Sequence, residues 1–258
     1  MIGAIVGDFA GSVHEFHAPK HKDFPFFGPR HFVTDDSLLT VAVAEWLLHD
    51  IDLTARFHDM VERYPAAGWG EMFSRWARRR TREPYGSFGN GAAMRVSPVG
   101  WAFDNADDTL RAAAACASVS HDHPEGVRGA QATALAVFLA RTARDKALIR
   151  SEVARRFQYD LDRTVDQIRP TYAFDETCQR TVPEAIVAFL DATDFEDAIR
   201  NAISLGGDAD TLAAIAGGIA HAFYGRIPPA IAAAALAALP VELRGVWGEF
   251  RVRYDVSA

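Results

Sequence analysis

Two long segments of this chain are apolar almost all round, and each begins with a short acidic motif. Residues 38–48 follow Thr34-Asp35-Asp36-Ser37, and residues 212–220 follow Gly207-Asp208-Ala209-Asp210-Thr211. A helix that is apolar on every face must lie in the centre of a helical protein. Neither motif contains a Lys or Arg, although a buried carboxylate needs a compensating partner. The pattern therefore predicts a helical fold with two acidic helix starts in its interior.

Helical patterning also dominates the rest of the chain, with apolar spacing near 3.6 residues and much Ala and Leu. We predict helices over residues 2–11, 35–48, 53–64, 70–80, 107–118, 124–143, 146–157, 182–190, 195–205, 211–224, 228–239 and 240–253. Proline at positions 183, 228 and 240 fits helix beginnings. No alternating strand pattern persists, so we expect one compact all-α domain over residues 1–258.

Three stretches lack a helical period. Residues 16–33 hold several Pro, His and Phe residues and are expected to form a long ordered loop, a common form of functional lid. Residues 84–100 are glycine-rich and polar. Residues 159–178 are expected to be a surface excursion.

Composition excludes several classes of protein. The net charge of -7 gives no general electrostatic case for nucleic-acid binding, and the run Arg78-Arg79-Arg80-Thr81-Arg82 is expected to be a solvated helix end. Cys116 and Cys178 have no zinc-ligand spacing and suit packing in a reducing compartment. The start of the chain lacks a basic region and a membrane-length apolar run. We expect a soluble, cytoplasmic monomer without a membrane partner.

Each acidic motif alone also fits an ordinary capped helix start, since acids after a cap complement the helix dipole. The apolar helices that follow favour a buried site instead, and Gly217 and Gly218 indicate close helix packing. Carboxylates combined with hydroxyls suit Mg²⁺, Mn²⁺ or Ca²⁺ rather than zinc or copper. Because adjacent helical residues point about 100° apart, Asp35 and Asp36 would more easily serve two neighbouring ions than chelate one.

Further polar residues are candidates for binding. Glu15 begins the long loop, either as a solvated acid or as a carboxylate that reaches the metals. Asp8 is expected to hold helix ends together by hydrogen bonds. The turn around Gly89-Asn90-Gly91 is either a plain tight turn or a phosphate-binding loop, and Phe88 or Tyr85 is placed to stack on a base. We expect His121 to orient a ligand as a hydrogen-bond donor and His123 to be structural.

The ordered set of these motifs resembles the ADP-ribosylglycohydrolase family. The motifs that carry the resemblance are residues 3–8, Glu15, residues 34–37, residues 89–95, His121 and residues 206–211, so it covers most of the chain from residue 2 to about residue 225. Ala209 stands where Thr or Ser is frequent, and Ser120 where Thr is usual. The chain is short for the family, which leaves the protein substrate more open than the chemistry.

The resemblance implies an all-α orthogonal helical bundle with a binuclear Mg²⁺ or Mn²⁺ centre. The implied ligands are Thr34, Asp35, Asp36, Asp208, Asp210 and Thr211. The candidate substrate-binding residues are Ser87, Phe88, Gly89, Asn90, Gly91 and His121. The candidate catalytic residues are Asp35, Asp36 and Glu15, any of which could be the general base, and the sequence does not rank them. The implied reaction is cleavage of the C1″ glycosidic bond of an ADP-ribosylated protein, arginine-linked in the first instance, or of another ADP-ribose conjugate.

Three alternatives remain at this level. A metal-dependent phosphohydrolase would use the same ligands but cleave the pyrophosphate and release AMP. A non-catalytic ADP-ribose-binding module would keep the loops and lose metal ligands. A purely structural helical protein would not respond to Mg²⁺.

Overall fold

The computed structural model describes residues 1–17 and 19–256, and within them the only regular elements are helices. They are α1 (Ile2–Gly11), α2 (Asp35–His49), α3 (Leu53–Arg63), α4 (Glu71–Arg78), α5 (Gly91–Met94), α6 (Val99–Ala102), α7 (Ala106–Ser118), α8 (Pro124–Thr142), α9 (Lys146–Phe157), α10 (Val165–Ile168), α11 (Cys178–Leu190), α12 (Phe195–Leu205), α13 (Ala209–Tyr224), α14 (Pro229–Ala238) and α15 (Val241–Arg253). The predicted all-α fold is confirmed.

Helix α13 is the central element of the bundle, as its apolar sequence predicted. It packs against α1, α8, α11 and α12, and every residue from Ala209 to Ala222 is buried. The contact with α1 is close because glycines meet across it: a Cβ added at Gly7 would overlap the carbonyl of Ala213, and one added at Gly3 would overlap that of Gly217. The close packing predicted from Gly217 is therefore confirmed, and it brings Asp8 of α1 beside the start of α13.

Helix boundaries follow the predictions to within a few residues, with one larger difference. Helix α11 begins at Cys178, not at residue 182, so Pro183 lies inside the helix rather than at its first turn. Helices α5, α6 and α10 were not predicted, and α5 and the start of α6 lie inside the stretch 84–100 that was expected to be irregular. Each has only four residues, too few for a periodic pattern to be detected.

The prediction that residues 159–178 form a surface excursion is wrong. Tyr159, Leu161 and Tyr172 are buried in the core, and α10 packs on α11 and α12. Residues 16–17 and 19–33 do form an irregular segment, as predicted, and residue 18 lies outside the described residues. Lys20 holds this segment to the body by donating hydrogen bonds to the carbonyl groups of Tyr172 and Leu205.

The remaining expectations about packing and surface hold where the structure tests them. Cys116 and Cys178 are free and buried. The basic run at the end of α4 is exposed, and its Arg80 pairs with acids of α3. Within residues 1–17 and 19–256, none of the helices combines the length and apolar character that a membrane span requires.

Candidate active site

A cavity of about 590 Å³ opens between the starts of α2 and α13, within the usual size range of ligand pockets. All of the residues that the sequence proposed as site residues line it. They are Glu15, Thr34, Asp35, Asp36, Ser87, Phe88, Gly89, Asn90, Gly91, His121, Asp208, Asp210 and Thr211. The fold thus brings motifs separated by more than a hundred residues to one place, while their individual roles remain predictions.

The start of α2 forms one part of the cavity floor. The Thr34 hydroxyl accepts a hydrogen bond from the Asp36 backbone N–H at 3.2 Å, so Thr34 caps the helix as predicted. Asp8 holds this turn in place, because its carboxylate accepts hydrogen bonds from the backbone N–H and hydroxyl of Thr34 at 2.9 and 2.8 Å, and from those of Ser37. The scaffolding role predicted for Asp8 is confirmed.

The start of α13 forms the opposite part of the floor. Gly206 and Gly207 have φ angles of +79° and +90°, which only glycine adopts without strain, and they turn the chain sharply from α12 into α13. Asp208 follows this turn, and Asn90 donates a hydrogen bond to its carboxylate at 2.7 Å. Asn90 also donates to the Thr181 hydroxyl at 3.1 Å, so the glycine-rich turn orients an acidic residue of the floor.

The two acidic helix starts meet in the fold. The Thr211 hydroxyl donates a hydrogen bond to Asp36 at 3.2 Å, which joins residues 175 positions apart. Carboxylate oxygens of Asp8, Asp36 and Asp210 lie within 4.8 Å of one another, as do those of Glu15, Asp208 and Asp210. Asp210 belongs to both groups and therefore lies between them.

Burial without a cationic partner dominates the electrostatics of these acids. In the described part of the chain, no Lys, Arg or His forms an ion pair with Asp8, Glu15, Asp35, Asp36, Asp208 or Asp210. Loss of water, followed by repulsion from neighbouring carboxylates, raises the pKa of Asp35, Asp36 and Asp210 well above the usual range. Burial raises the pKa of Asp8 to about 6 and, with repulsion from Asp208, that of Glu15 to about 7.

The residues at the floor fit a hard divalent cation. Asp36 Oδ1 is buried and has no hydrogen-bond partner, although a buried carboxylate oxygen is normally satisfied. The surrounding donors are carboxylate and hydroxyl oxygens, which are the ligands that Mg²⁺ and Mn²⁺ prefer. A cation at this place would both satisfy the unpaired oxygen and relieve the repulsion among the acids.

The other wall of the cavity is polar and aromatic. Gly89 pairs with Thr177 in an isolated bridge, and the Asn90 N–H donates to the Glu176 carbonyl at 2.7 Å, so the turn is fixed against the segment that was predicted to be a surface excursion. Phe88 is 44% exposed at the rim, and its ring packs edge-on against that of His123 at 5.2 Å between centres. His123 caps α8 by accepting from the Glu125 N–H, and the structural role predicted for it is confirmed.

The predicted set did not include some residues that line the cavity, among them Glu176, Phe16 and Phe32. Burial and the charges of Asp208 and Asp175 raise the pKa of Glu176. No sequence pattern marked Glu176, because its place depends on the pairing of its segment with the glycine-rich turn. Arg95 was part of a quoted motif but had no assigned role; it also borders the cavity.

Comparisons with known proteins identify relatives of the whole chain. ADP-ribosylhydrolase ARH3 of Mus musculus is 25% identical, with 87% of this chain aligned to 82% of that protein, and the Homo sapiens protein of the same name is 25% identical over 87% and 84%. A solved structure described as an ADP-ribosylglycohydrolase-related protein complex superimposes with a TM-score of 0.71 and 25% identity, over 98% of this chain and 97% of its own.

The family model for ADP-ribosylglycohydrolase matches residues 1–247, nearly the whole chain. The chain belongs to the ADP-ribosylglycohydrolase family and is a hydrolase that acts on ADP-ribose glycosidic bonds.

Proposed function

We propose that the protein is a metal-dependent hydrolase that removes ADP-ribose from ADP-ribosylated protein side chains by cleaving the C1″ glycosidic bond. One observation carries the metal dependence: Asp36 of one helix start and Asp208 and Asp210 of the other are buried without a cationic partner at the floor of the cavity, and Asp210 lies close to both of the others. The opposite wall offers a glycine-rich turn, an aromatic rim and a buried histidine, which suit the phosphates and base of a nucleotide.

The proposed ligands of two Mg²⁺ or Mn²⁺ ions are Thr34, Asp35, Asp36, Asp208, Asp210 and Thr211. Such ions, when bound, would hold the vicinal hydroxyls of the distal ribose and so orient the sugar and the attacking water. Asn90 keeps the Asp208 carboxylate oriented toward the floor through its 2.7 Å hydrogen bond. Asp8 fixes the position of the first turn of α2, because its carboxylate oxygens accept hydrogen bonds from Thr34 and Ser37.

A carboxylate must take the proton from the water that attacks C1″. Asp35, Asp36 and Glu15 are the candidates, and Glu15 is our choice because the two aspartates are engaged as ligands in this proposal. Glu15 is half-buried on the segment that precedes the long loop, and one of its oxygens lies within 4.8 Å of Asp208 and Asp210 oxygens. A carboxylate at the edge of the ion site can accept a proton without leaving the ion unligated.

We propose arginine-linked ADP-ribose as the preferred substrate. Glu15 and Glu176 both line the cavity. The charge of Glu176 contributes to raising the pKa of Glu15, and that of Glu15 to raising the pKa of Asp35, so carboxyl groups crowd this side of the cavity. The guanidinium of an arginine linkage is a cation with several donors and is complementary to such carboxylates, whereas the glycosidic oxygen of a serine linkage is neutral and has no donor. When the C1″–N bond breaks, the electron pair stays on the guanidine nitrogen, and the proton that Glu15 took from water returns the departing arginine to its charged form.

The test is incubation with arginine- and serine-ADP-ribosylated peptides and Mg²⁺, followed by mass spectrometry of the products. We expect free ADP-ribose from the arginine peptide, and no release with a chelator or in Asp210→Asn. Asp197→Asn changes an acid of a helix start that does not line the cavity; it is the matched control and should be active. AMP as the product would identify a phosphohydrolase. Binding of ADP-ribose without release of product would identify a non-catalytic module. Faster release from the serine peptide would overturn the arginine preference.

A further inference from the structure

A buried cation lies behind the polar wall of the cavity. The Arg95 side chain is 0% exposed, and no Asp or Glu among the described residues forms an ion pair with it. Its Nη2 donates hydrogen bonds to the Cys116 carbonyl at 3.1 Å and to Ser120 Oγ at 3.0 Å, and its Cζ lies 4.5 Å from the centre of the Phe57 ring. Its Nε and Nη1 have no hydrogen-bond partner. Burying a charge without an ion pair, and with two nitrogens lacking hydrogen bonds, costs stability, so packing alone does not explain why an arginine lies here.

Ser120 connects this cation to His121. Ser120 is 0% exposed, and its Oγ lies 2.8 Å from His121 Nδ1. A guanidinium only donates, so Ser120 Oγ must accept from Arg95. Among the described groups, the other hydrogen-bond partner of Oγ is His121 Nδ1, so the single hydroxyl hydrogen points to the lone pair of Nδ1. If Nδ1 carried the proton instead, two donors would converge on Oγ and the hydroxyl hydrogen would be buried without an acceptor.

The ring proton of His121 therefore belongs on Nε2, and Nε2 faces the substrate wall. A Cβ added at Gly91 would lie 3.1 Å from Nε2, and one added at Gly89 would lie 3.6 Å from it, so Nε2 lies directly beside the turn. None of the described groups forms a hydrogen bond with Nε2. The donor is thus directed at the cavity and available to a ligand oxygen.

We propose that Arg95, acting through the Ser120 hydroxyl, is a positioning residue that holds His121 as the Nε2–H tautomer, so that this ring presents a fixed hydrogen-bond donor to an anionic oxygen of the substrate. The other tautomer would present a lone pair to that oxygen and repel it. The identity of the oxygen, a phosphate or ribose oxygen of ADP-ribose, rests on the proposed function, whereas the tautomer does not.

The surroundings keep the ring neutral as well as oriented. Burial, followed by the charge of Arg95, lowers the pKa of His121 well below its usual range. The Tyr85 ring packs edge-on at 5.6 Å between ring centres, and the Phe73 ring lies at 6.5 Å, so apolar faces enclose the imidazole. A chain of hydrogen bonds from a cation polarises each member in turn, which strengthens Nε2–H as a donor.

The tautomer can be measured directly by long-range ¹H–¹⁵N correlation spectra of the full chain at pH 7.5, with His121→Gln to assign the His121 signals. We expect a protonated Nε2 and an unprotonated Nδ1 in the natural protein and in Ser120→Thr, which retains the hydroxyl. Ser120→Ala should give a mixture of tautomers, because neither nitrogen is then specified. A protonated Nδ1 in the natural protein, or an unchanged single tautomer in Ser120→Ala, would overturn the proposal.

Binding gives the second readout, measured by calorimetry with ADP-ribose. We expect Ser120→Ala to weaken binding about fivefold to tenfold and to raise KM with little change in kcat, and Ser120→Thr to restore both. His121→Gln places an amide donor near the position of Nε2 and should retain more affinity than His121→Asn, which places it near Nδ1. Equal affinities in Ser120→Ala and the natural protein would contradict the role. If the natural protein neither binds nor releases ADP-ribose, the proposed function fails, and the spectra still decide the tautomer.

Discussion

The acidic starts of α2 and α12 are alike in sequence and opposite in environment. Thr34 caps α2 ahead of Asp36, and Asp194 caps α12 ahead of Asp197, each by accepting a hydrogen bond from that aspartate's N–H. Asp36 is 2% exposed and has no cationic partner, whereas Asp197 binds Lys22 at 2.6 Å. Capping is therefore common to both, and the absence of a cation around a buried acid distinguishes the site.

The pKa shifts of the two acids have opposite signs. Burial and nearby carboxylates raise the pKa of Asp36. Burial alone would raise that of Asp197 too, but hydrogen bonds from Lys22 and Thr193 outweigh it and lower the pKa. The charge of Asp197 thus stabilises the fold, while that of Asp36 opposes it until a cation binds. Such a stability cost is expected where a function requires the charge.

The largest expected effect is on activity. Asp36→Asn keeps the shape of the side chain but removes a charged ligand, and we expect release of ADP-ribose to fall by at least about a hundredfold, since even loss of groups behind a metal ligand costs 10–100-fold. Asp197→Asn should retain nearly full activity. Product release by mass spectrometry checks both variants, and equal losses would erase the distinction between the two helix starts.

The support of Asp208 gives the next effect. Asn90→Ala removes the 2.7 Å hydrogen bond to that carboxylate. We expect Mn²⁺ affinity to fall by about 10–100-fold, as for other residues that orient ligands. Titration calorimetry measures the change, and Asn105→Ala, which removes the exposed cap of α7, serves as the control that leaves affinity unaltered.

Close packing of α1 on α13 keeps the acids of the floor together. Gly7→Ala would push a methyl group into the Ala213 carbonyl, and we expect a loss of about 1–3 kcal/mol in the free energy of unfolding, with weaker Mg²⁺ binding. Gly245 in α15 has open space around it, so Gly245→Ala should instead stabilise by up to about 1 kcal/mol. Denaturant unfolding distinguishes the two, and a neutral Gly7→Ala would contradict the packing.

The smallest effect concerns the pH dependence of the metal-free protein. Because the pKa values of Asp8 and Glu15 are raised to about 6 and about 7, the folded state holds protons that the unfolded state releases. The contribution of these two groups to the free energy of unfolding should therefore be largest below about pH 4 and should decline as the pH rises to about 7. Mg²⁺ should reduce this loss of stability at high pH, because a bound cation compensates the ionised carboxylates.

Asp36→Asn should raise the Tm of the metal-free protein at pH 8, by roughly 2–4 °C for each kcal/mol gained in the free energy of unfolding. Asp197→Asn should lower it. Thermal scans with a chelator check both signs, and a Tm that falls in Asp36→Asn would mean that its charge is compensated in the fold.

Local signals account for much of what the sequence predicted. Helix α12 has its predicted bounds because its cap and its apolar spacing lie within the segment itself. The start of α11 was misplaced since Pro183 signalled a helix beginning, whereas the chain accommodates it within the helix. The two acidic motifs were recognised because their helices are apolar all round, a property of sequence that reports burial.

Residues whose place depends on long-range contacts could not be predicted. Glu176 reaches the cavity because the neighbouring Thr177 pairs with Gly89, and no sequence pattern in residues 159–178 predicts that pairing. Arg95 lies in a recognisable motif, but the role proposed for it follows from its hydrogen bond to Ser120 and from the contact of Ser120 with His121. Sequence patterns report periodicity and burial, and they do not report which buried groups meet.

If the starts of α2 and α13 form one metal site, each must be needed for ion binding. The direct measurement is the number of Mn²⁺ ions bound per chain, by calorimetry with electron paramagnetic resonance, in the natural protein and in Asp36→Asn, Asp210→Asn and Asp197→Asn. We expect two coupled ions in the natural protein and in Asp197→Asn, and the loss of at least one in each of the other variants. Unchanged Mn²⁺ binding in Asp36→Asn or Asp210→Asn would contradict a shared site.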